Sequence, residues 1–187
     1  DSVLDVALKS LPLSGFETKV SRVKKAGIDA CDFNVVLDND NHDHDMEYLH
    51  GDGKGHEHSH DHSHSHFFGL FHHHHHDHEH RGLKEITEIL NNSDLTDKAK
   101  ALAIKMFEII ADAEAQAHGL SKEEVHFHEV GAIDSIVDIA AVAVCLDSLG
   151  IDEVIVPVLY EGTGTVRCQH GVLPIPVPAV TNIVNNR

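Results

Sequence analysis

Thirty-nine consecutive residues, His42 to His80, hold 16 of the 20 histidines in this 187-residue chain, with eight Asp or Glu and a single Lys. Apart from Phe67-Phe68-Gly69-Leu70-Phe71, the stretch is nearly devoid of apolar side chains. It cannot bury enough apolar surface to offset the entropy of ordering it, so it reads as a flexible insertion when no metal is bound. Residues 1–41 and 81–187 must therefore carry the fold. The 148 residues outside the insertion are a normal size for one domain.

Outside the insertion the apolar pattern alternates between helical and extended. Val3, Leu4, Ala7, Leu8 and Leu11 have helical spacing within Ser2–Leu11, and Gly15 closes that segment. Phe16–Lys24 and Ile28–Leu37 read as two strands around a turn at Ala26-Gly27. Leu83, Ile86, Ile89 and Leu90 mark a short amphipathic helix. A longer one follows, with Ser93 or Asp94 as N-cap, an apolar face of Leu95, Ala99, Leu102, Met106, Ile109, Ile110 and Ala113, and Gly119 at its end. Ser121 and Glu124 form a capping box. Ala132–Leu149 is a strongly apolar helix stopped by Gly150, with Cys145 expected in the core. Val154–Leu159 is rich in β-branched residues and reads as a buried strand, joined through Gly162-Thr163-Gly164 to a second strand at Thr165–Cys168. Pro174, Pro176 and Pro178 force an extended path until a last helix near Ala179. The expected fold class is α/β or α+β, a small sheet packed with helices.

Charge and cysteine usage narrow the function. Asp plus Glu outnumber Lys plus Arg by 31 to 14, a net charge of −17 that protonation of every histidine would carry to +3. Such a field depends strongly on pH, repels phosphate backbones and makes a cation the expected partner rather than nucleic acid. No run of about 18 apolar residues suits a membrane span, and no N-terminal secretory signal is evident. Cys31, Cys145 and Cys168 form no Cys-x-x-Cys pair, so reduced thiols and a cytoplasmic location are expected. A chain beginning at Asp1 reads as a fragment or a processed product.

The tract itself is built to meet transition metals. His56, His58, His60, His62, His64 and His66 alternate without a break; His72, His73, His74, His75 and His76 are contiguous; His78 and His80 follow. Neutral imidazole suits Ni, Zn, Cu and Co, and such density places many ligands near one ion, although selectivity is not encoded by it. A cloned affinity tag would be shorter, terminal and free of interleaved acids. The tract reads as a reservoir rather than a place for catalysis.

A more specific pattern is Val125-His126-Phe127-His128-Glu129-Val130-Gly131-Ala132-Ile133-Asp134-Ser135-Ile136-Val137-Asp138. On an extended segment His126 and His128 share one side while Phe127 points to the core, and with Glu129 they are credible metal ligands. Asp134 and Asp138 are one helical turn apart, roughly 6 Å at Cβ. Within an apolar helix such carboxylates are costly unless used, while an N-cap at Asp134 and a solvent-facing Asp138 are the structural alternative. Gly162, Thr163, Gly164 and Thr165 offer backbone N–H groups to an anion, though a tight turn reads the same way. His170 before Gly171 is a hairpin residue unless the fold brings it to His126 and His128.

Together, residues 125–138, Gly162-Thr163-Gly164 and the run His170–Val180 resemble the LarC family of nickel insertion proteins, over nearly the whole chain as an N-terminal domain with the family's His-rich insertion. The resemblance implies a cytoplasmic enzyme of the lyase class, a nickel chelatase or cyclometallase. It would insert Ni²⁺ into pyridinium-3,5-bisthiocarboxylic acid mononucleotide with CTP hydrolysis, making the nickel-pincer cofactor of lactate racemase. The family opens with a strand that precedes this sequence and continues into a domain implicated in binding CTP, expected with a divalent metal. The chain alone is therefore expected to bind nickel without completing turnover. In this reading the tract collects Ni²⁺ and passes it to His126, His128, Glu129 and His170. Asp134 or Asp138 orients an imidazole or accepts the ring proton lost on metalation, and Gly162–Thr165 hold the mononucleotide phosphate. Lactate racemase, other cofactor-synthesis proteins and a second copy of the chain are the expected protein contacts. Two other classes compete: a His-rich nickel or zinc store or metallochaperone without catalysis, and a metal-dependent hydrolase using His126, His128, Asp134 and Asp138.

Overall fold

A computed structural model of the chain describes residues 2–38, 81–127, 130–168 and 170–186. Helix α1 (Val3–Lys9) starts where Ser2 Oγ accepts the Asp5 N–H at 3.1 Å. Strands β1 (Phe16–Lys25) and β2 (Ile28–Leu37) form an antiparallel hairpin with Val20 opposite Phe33. Its turn places Ala26 and Gly27 at φ 50° and 81°, the left-handed pair that matches hairpin twist.

After the tract come β3 (Arg81–Gly82), α2 (Leu83–Asn91) and α3 (Asp97–His118). Thr96, rather than Ser93 or Asp94, caps α3: its Oγ1 accepts the Ala99 N–H at 3.1 Å and donates to Asp147 Oδ2 at 2.5 Å. Gly119 ends the helix in the left-handed conformation, as its lack of a Cβ allows. The Ser121–Glu124 capping box surrounds a single 3₁₀ turn. Strand β4 (His126–Phe127) then pairs antiparallel with β3, Arg81 opposite Phe127 and Gly82 opposite His126. Helix α4 (Ile133–Ser148) is followed by β5 (Thr165–Cys168), β6 (Gly171–Pro174) and α5 (Pro178–Asn185).

The architecture is thus mixed α/β, in the expected class. Among the described residues its strands lie in three separate two-stranded antiparallel ribbons rather than one small sheet. The core sits between helices. Phe107, Leu8, Ile86, Leu90, Ile136 and Val137 are fully buried, and Phe107 meets Phe127 with ring centroids 6.1 Å apart and the rings tilted by 54°. Asn182 Nδ2 of α5 donates to Ala113 O at 3.0 Å, and Asn186 Nδ2 to Gln116 Oε1 at 3.3 Å. These bonds pin α5 to the C-terminal half of α3.

Three expectations change. The buried face of α3 is centred on Ala99, Ala103, Phe107 and Ala111, because α2, α4 and α5 all pack on this helix and small residues let them approach. Cys145 lies on the exposed side of α4, away from its buried stripe of Ile136, Val137, Ala140 and Val144. Val154–Leu159 is exposed and in no ladder: β5 pairs with β6 instead. The β-branched composition favours extension, but among the described residues no strand lies alongside to complete it. The tract histidines, and with them the expectation of a flexible insertion, lie outside the described residues.

Candidate functional site

The β3–β4 ribbon sets up the site. Phe127 is buried and its neighbour His126 exposed, as alternation on an extended segment requires. His128 and Glu129 lie outside the described residues. Gly131 then passes very close to both strands. A Cβ there would stand 2.9 Å from Phe127 O and 3.1 Å from Arg81 O, and Gly131 O accepts from Arg81 Nη1 at 3.1 Å. The same glycine that closes the ribbon launches α4, so His126 and the first turn of α4 are fixed in one local unit.

Asp134 sits in that first turn. It is not the N-cap, which is Ala132. Its Oδ1 is buried without a hydrogen-bond partner among the described residues. An unpaired buried carboxylate oxygen is costly and calls for a cation or a donor from a ligand. One turn later Asp138 is exposed as a residue, yet its carboxyl is crowded enough that partial desolvation raises its pKa, with repulsion from Asp134 adding to this. A carboxyl with a raised folded-state pKa holds its proton to higher pH than in the unfolded chain, so folding stability falls as pH rises through that window. Asp138→Asn is accordingly expected to raise the thermal midpoint at pH 7, with the gain vanishing below the ordinary aspartate range. Melting curves across pH check the sign; a lower midpoint at pH 7 contradicts it.

Sequence reasoning passed over Glu85. Its Oε2 accepts the Gly82 N–H at 2.9 Å, and its pKa is lowered. Its own backbone N–H is the largest cause, burial opposes it, and the Gly82 amide, Lys84 and His126 add smaller lowering effects. Gly82 faces His126 across the ribbon, so this carboxylate stands on the His126 side of the domain. The signal was available as Gly82 followed three residues later by Glu.

The remaining candidates fall elsewhere. Gly162, Thr163 and Gly164 form an exposed segment leading into Thr165, the first residue of β5. Gly164 takes φ 108° and its carbonyl accepts the Ile175 N–H at 3.0 Å. His170, in the β5–β6 turn, lies against His118, with ring centroids 4.9 Å apart. Among the described residues no three His, Cys, Asp or Glu converge in a metal-holding group.

The whole chain, residues 1–187, matches the family model described as nickel insertion protein. The chain belongs to the nickel insertion protein family. This bears out the resemblance carried by residues 125–138, 162–164 and 170–180. A pyridinium-3,5-bisthiocarboxylic acid mononucleotide nickel insertion protein of Alkaliphilus metalliredigens is 52% identical over 182 residues, 97% of this chain and 39% of that protein. Its namesake in Geobacillus kaustophilus is 38% identical over 181 residues, 97% of this chain and 38% of that protein. A third, of Clostridium kluyveri, is 52% identical over 106 residues, 57% of this chain and 27% of that protein. The chain therefore spans just under two fifths of the length of each of the first two relatives. No solved structure gives a significant match. No helix among the described residues is long and apolar enough to cross a membrane.

Proposed function

We propose that this chain is the nickel-handling part of a cytoplasmic enzyme that inserts Ni²⁺ into pyridinium-3,5-bisthiocarboxylic acid mononucleotide, the lyase-class step that yields the nickel-pincer cofactor of lactate racemase. The observation that carries this reading is the buried, unpartnered Oδ1 of Asp134 at the head of α4, within one local unit with His126. Inserting the metal replaces a ring proton by a nickel–carbon bond and adds two nickel–sulfur bonds, so the site needs ligands that hold Ni²⁺ and a base that takes the proton. His126, His128 and Glu129 serve as the ligands. Asp134 or Asp138 serves as the base, and the raised pKa of Asp138 suits it to that role. The Gly162–Thr165 segment, with its exposed backbone, binds the mononucleotide phosphate. CTP, with a divalent metal, drives the step in this reading.

The tract, in this reading, gathers Ni²⁺ for the ordered site. Deleting residues 42–80 from a full-length protein is expected to leave insertion within about threefold of the parent at saturating Ni²⁺. At limiting Ni²⁺ the loss grows to an order of magnitude or more, the shape that mass action gives when supply becomes the slow step. Cofactor formation measured against nickel concentration checks this. Loss of insertion at every nickel concentration would instead favour a storage protein whose tract is its whole function.

A further inference from the structure

Two of the four histidines outside the tract, His118 and His170, meet although 51 residues separate them in sequence. We propose that they form a two-imidazole docking site for a divalent transition-metal ion, with Glu114 orienting His118. Their rings stand 4.9 Å apart between centroids at an interplanar angle of 43°, close enough for one ion to bind a nitrogen from each. Glu114 Oε2 lies 3.6 Å from His118 Nε2, one turn back along α3, so a carboxylate stands beside this imidazole, the kind of neighbour that metal-binding histidines have. His118 also occupies the last turn of a 22-residue helix, whose negative dipole end favours a cation.

The scaffold that brings the rings together is built rather than incidental. Gly119 stops α3 directly after His118. The β5–β6 ladder pairs Cys168 with Gly171 and so holds His170 at its tip. Asn182 and Asn186 pin the following helix to α3. Imidazole selects Ni²⁺, Zn²⁺ or Cu²⁺ over Mg²⁺ or Ca²⁺, and water completes the coordination. Two protein ligands bind less tightly than three or four, which suits an ion that must move on. Only the identity of the ion as nickel rests on the function proposed above.

The test uses the full 187-residue chain with its 16 tract histidines replaced by serine, leaving His118, His126, His128 and His170. Ni²⁺ alone is titrated by calorimetry, and nickel-edge X-ray absorption counts the imidazole ligands. His118→Ala with His170→Ala is expected to weaken one binding event at least tenfold and to lower the imidazole count. Circular dichroism checks folding, and His118→Gln with His170→Gln is expected to give the same loss if the Ala pair misfolds. Unchanged affinity and imidazole count in a folded pair variant overturn the proposal. Nickel binding that depends on His118 and His170, alongside insertion that is insensitive to His126 and His128, upholds the docking site and refutes the insertion mechanism instead.

Discussion

Replacing His126 and His128 together by Ala in a full-length protein is expected to abolish nickel insertion while leaving the fold intact. Removing one partner of a metal ligand costs about 10–100-fold, so loss of two ligands should lower the rate by at least about a hundredfold. The fold should survive because His126 is exposed and burial on that strand belongs to Phe127. The thermal midpoint is therefore expected to stay within a few degrees of the parent, about what a surface change of under half a kcal/mol produces. Cofactor formation and a melting curve on the same preparation give both readings. Full turnover in the folded double variant would remove the ordered histidines from the mechanism.

Gly131→Ala should do the opposite, harming the fold first. The added Cβ would meet Phe127 O at 2.9 Å and Arg81 O at 3.1 Å. Both are main-chain atoms of the ribbon, so relief requires opening the β3–β4 pair or moving the start of α4. Overpacking of this kind costs about 1–3 kcal/mol, partly offset by the loss of unfolded-state freedom that Ala brings, about 0.4–1 kcal/mol. Urea unfolding is expected to show a net destabilisation of about 1–2 kcal/mol. An unchanged midpoint would mean that the ribbon yields freely and does not fix His126 to α4.

The local parts of this architecture were legible in the residues. Helical spacing found α1, α2 and α3, an apolar run ended by Gly150 found α4, and the end of a proline-rich path found α5, while Ala26-Gly27 found the hairpin turn and Gly119 the end of α3. Non-local pairing was not legible. Nothing in Arg81-Gly82 announces that it will lie beside His126-Phe127, since two-residue strands carry no periodicity. The seam of α3 was misread because larger side chains drew attention to Leu102 and Met106. The closest packing runs through Ala103, Phe107 and Ala111. Val154–Leu159 shows the limit of composition: its residues favour a strand, but a strand exists only where another lies beside it. In the site, alternation correctly separated His126 from Phe127. Asp134 read equally well as a cap, and its isolation emerged only once Ala132 was seen to hold that position. His118 carries no local sign of its contact with His170, because its partner is 52 positions away, a distance that no local pattern spans.

The β3–β4 ribbon also has a kinetic consequence. His80, the last histidine of the tract, is one peptide bond from Arg81, and the next residue, Gly82, is the ladder partner of His126. Consecutive Cα atoms are about 3.8 Å apart across a trans peptide, so connectivity alone ends the tract two residues before Gly82, the ladder partner of His126. In the relay proposed above, passage of an ion from tract to ordered site is therefore unimolecular, with a rate independent of dilution, whereas capture from solution is second order. On that proposal, a cell in which this protein is scarce and free nickel scarcer is expected to load the ordered site as fast, per ion captured, as one in which the protein is abundant.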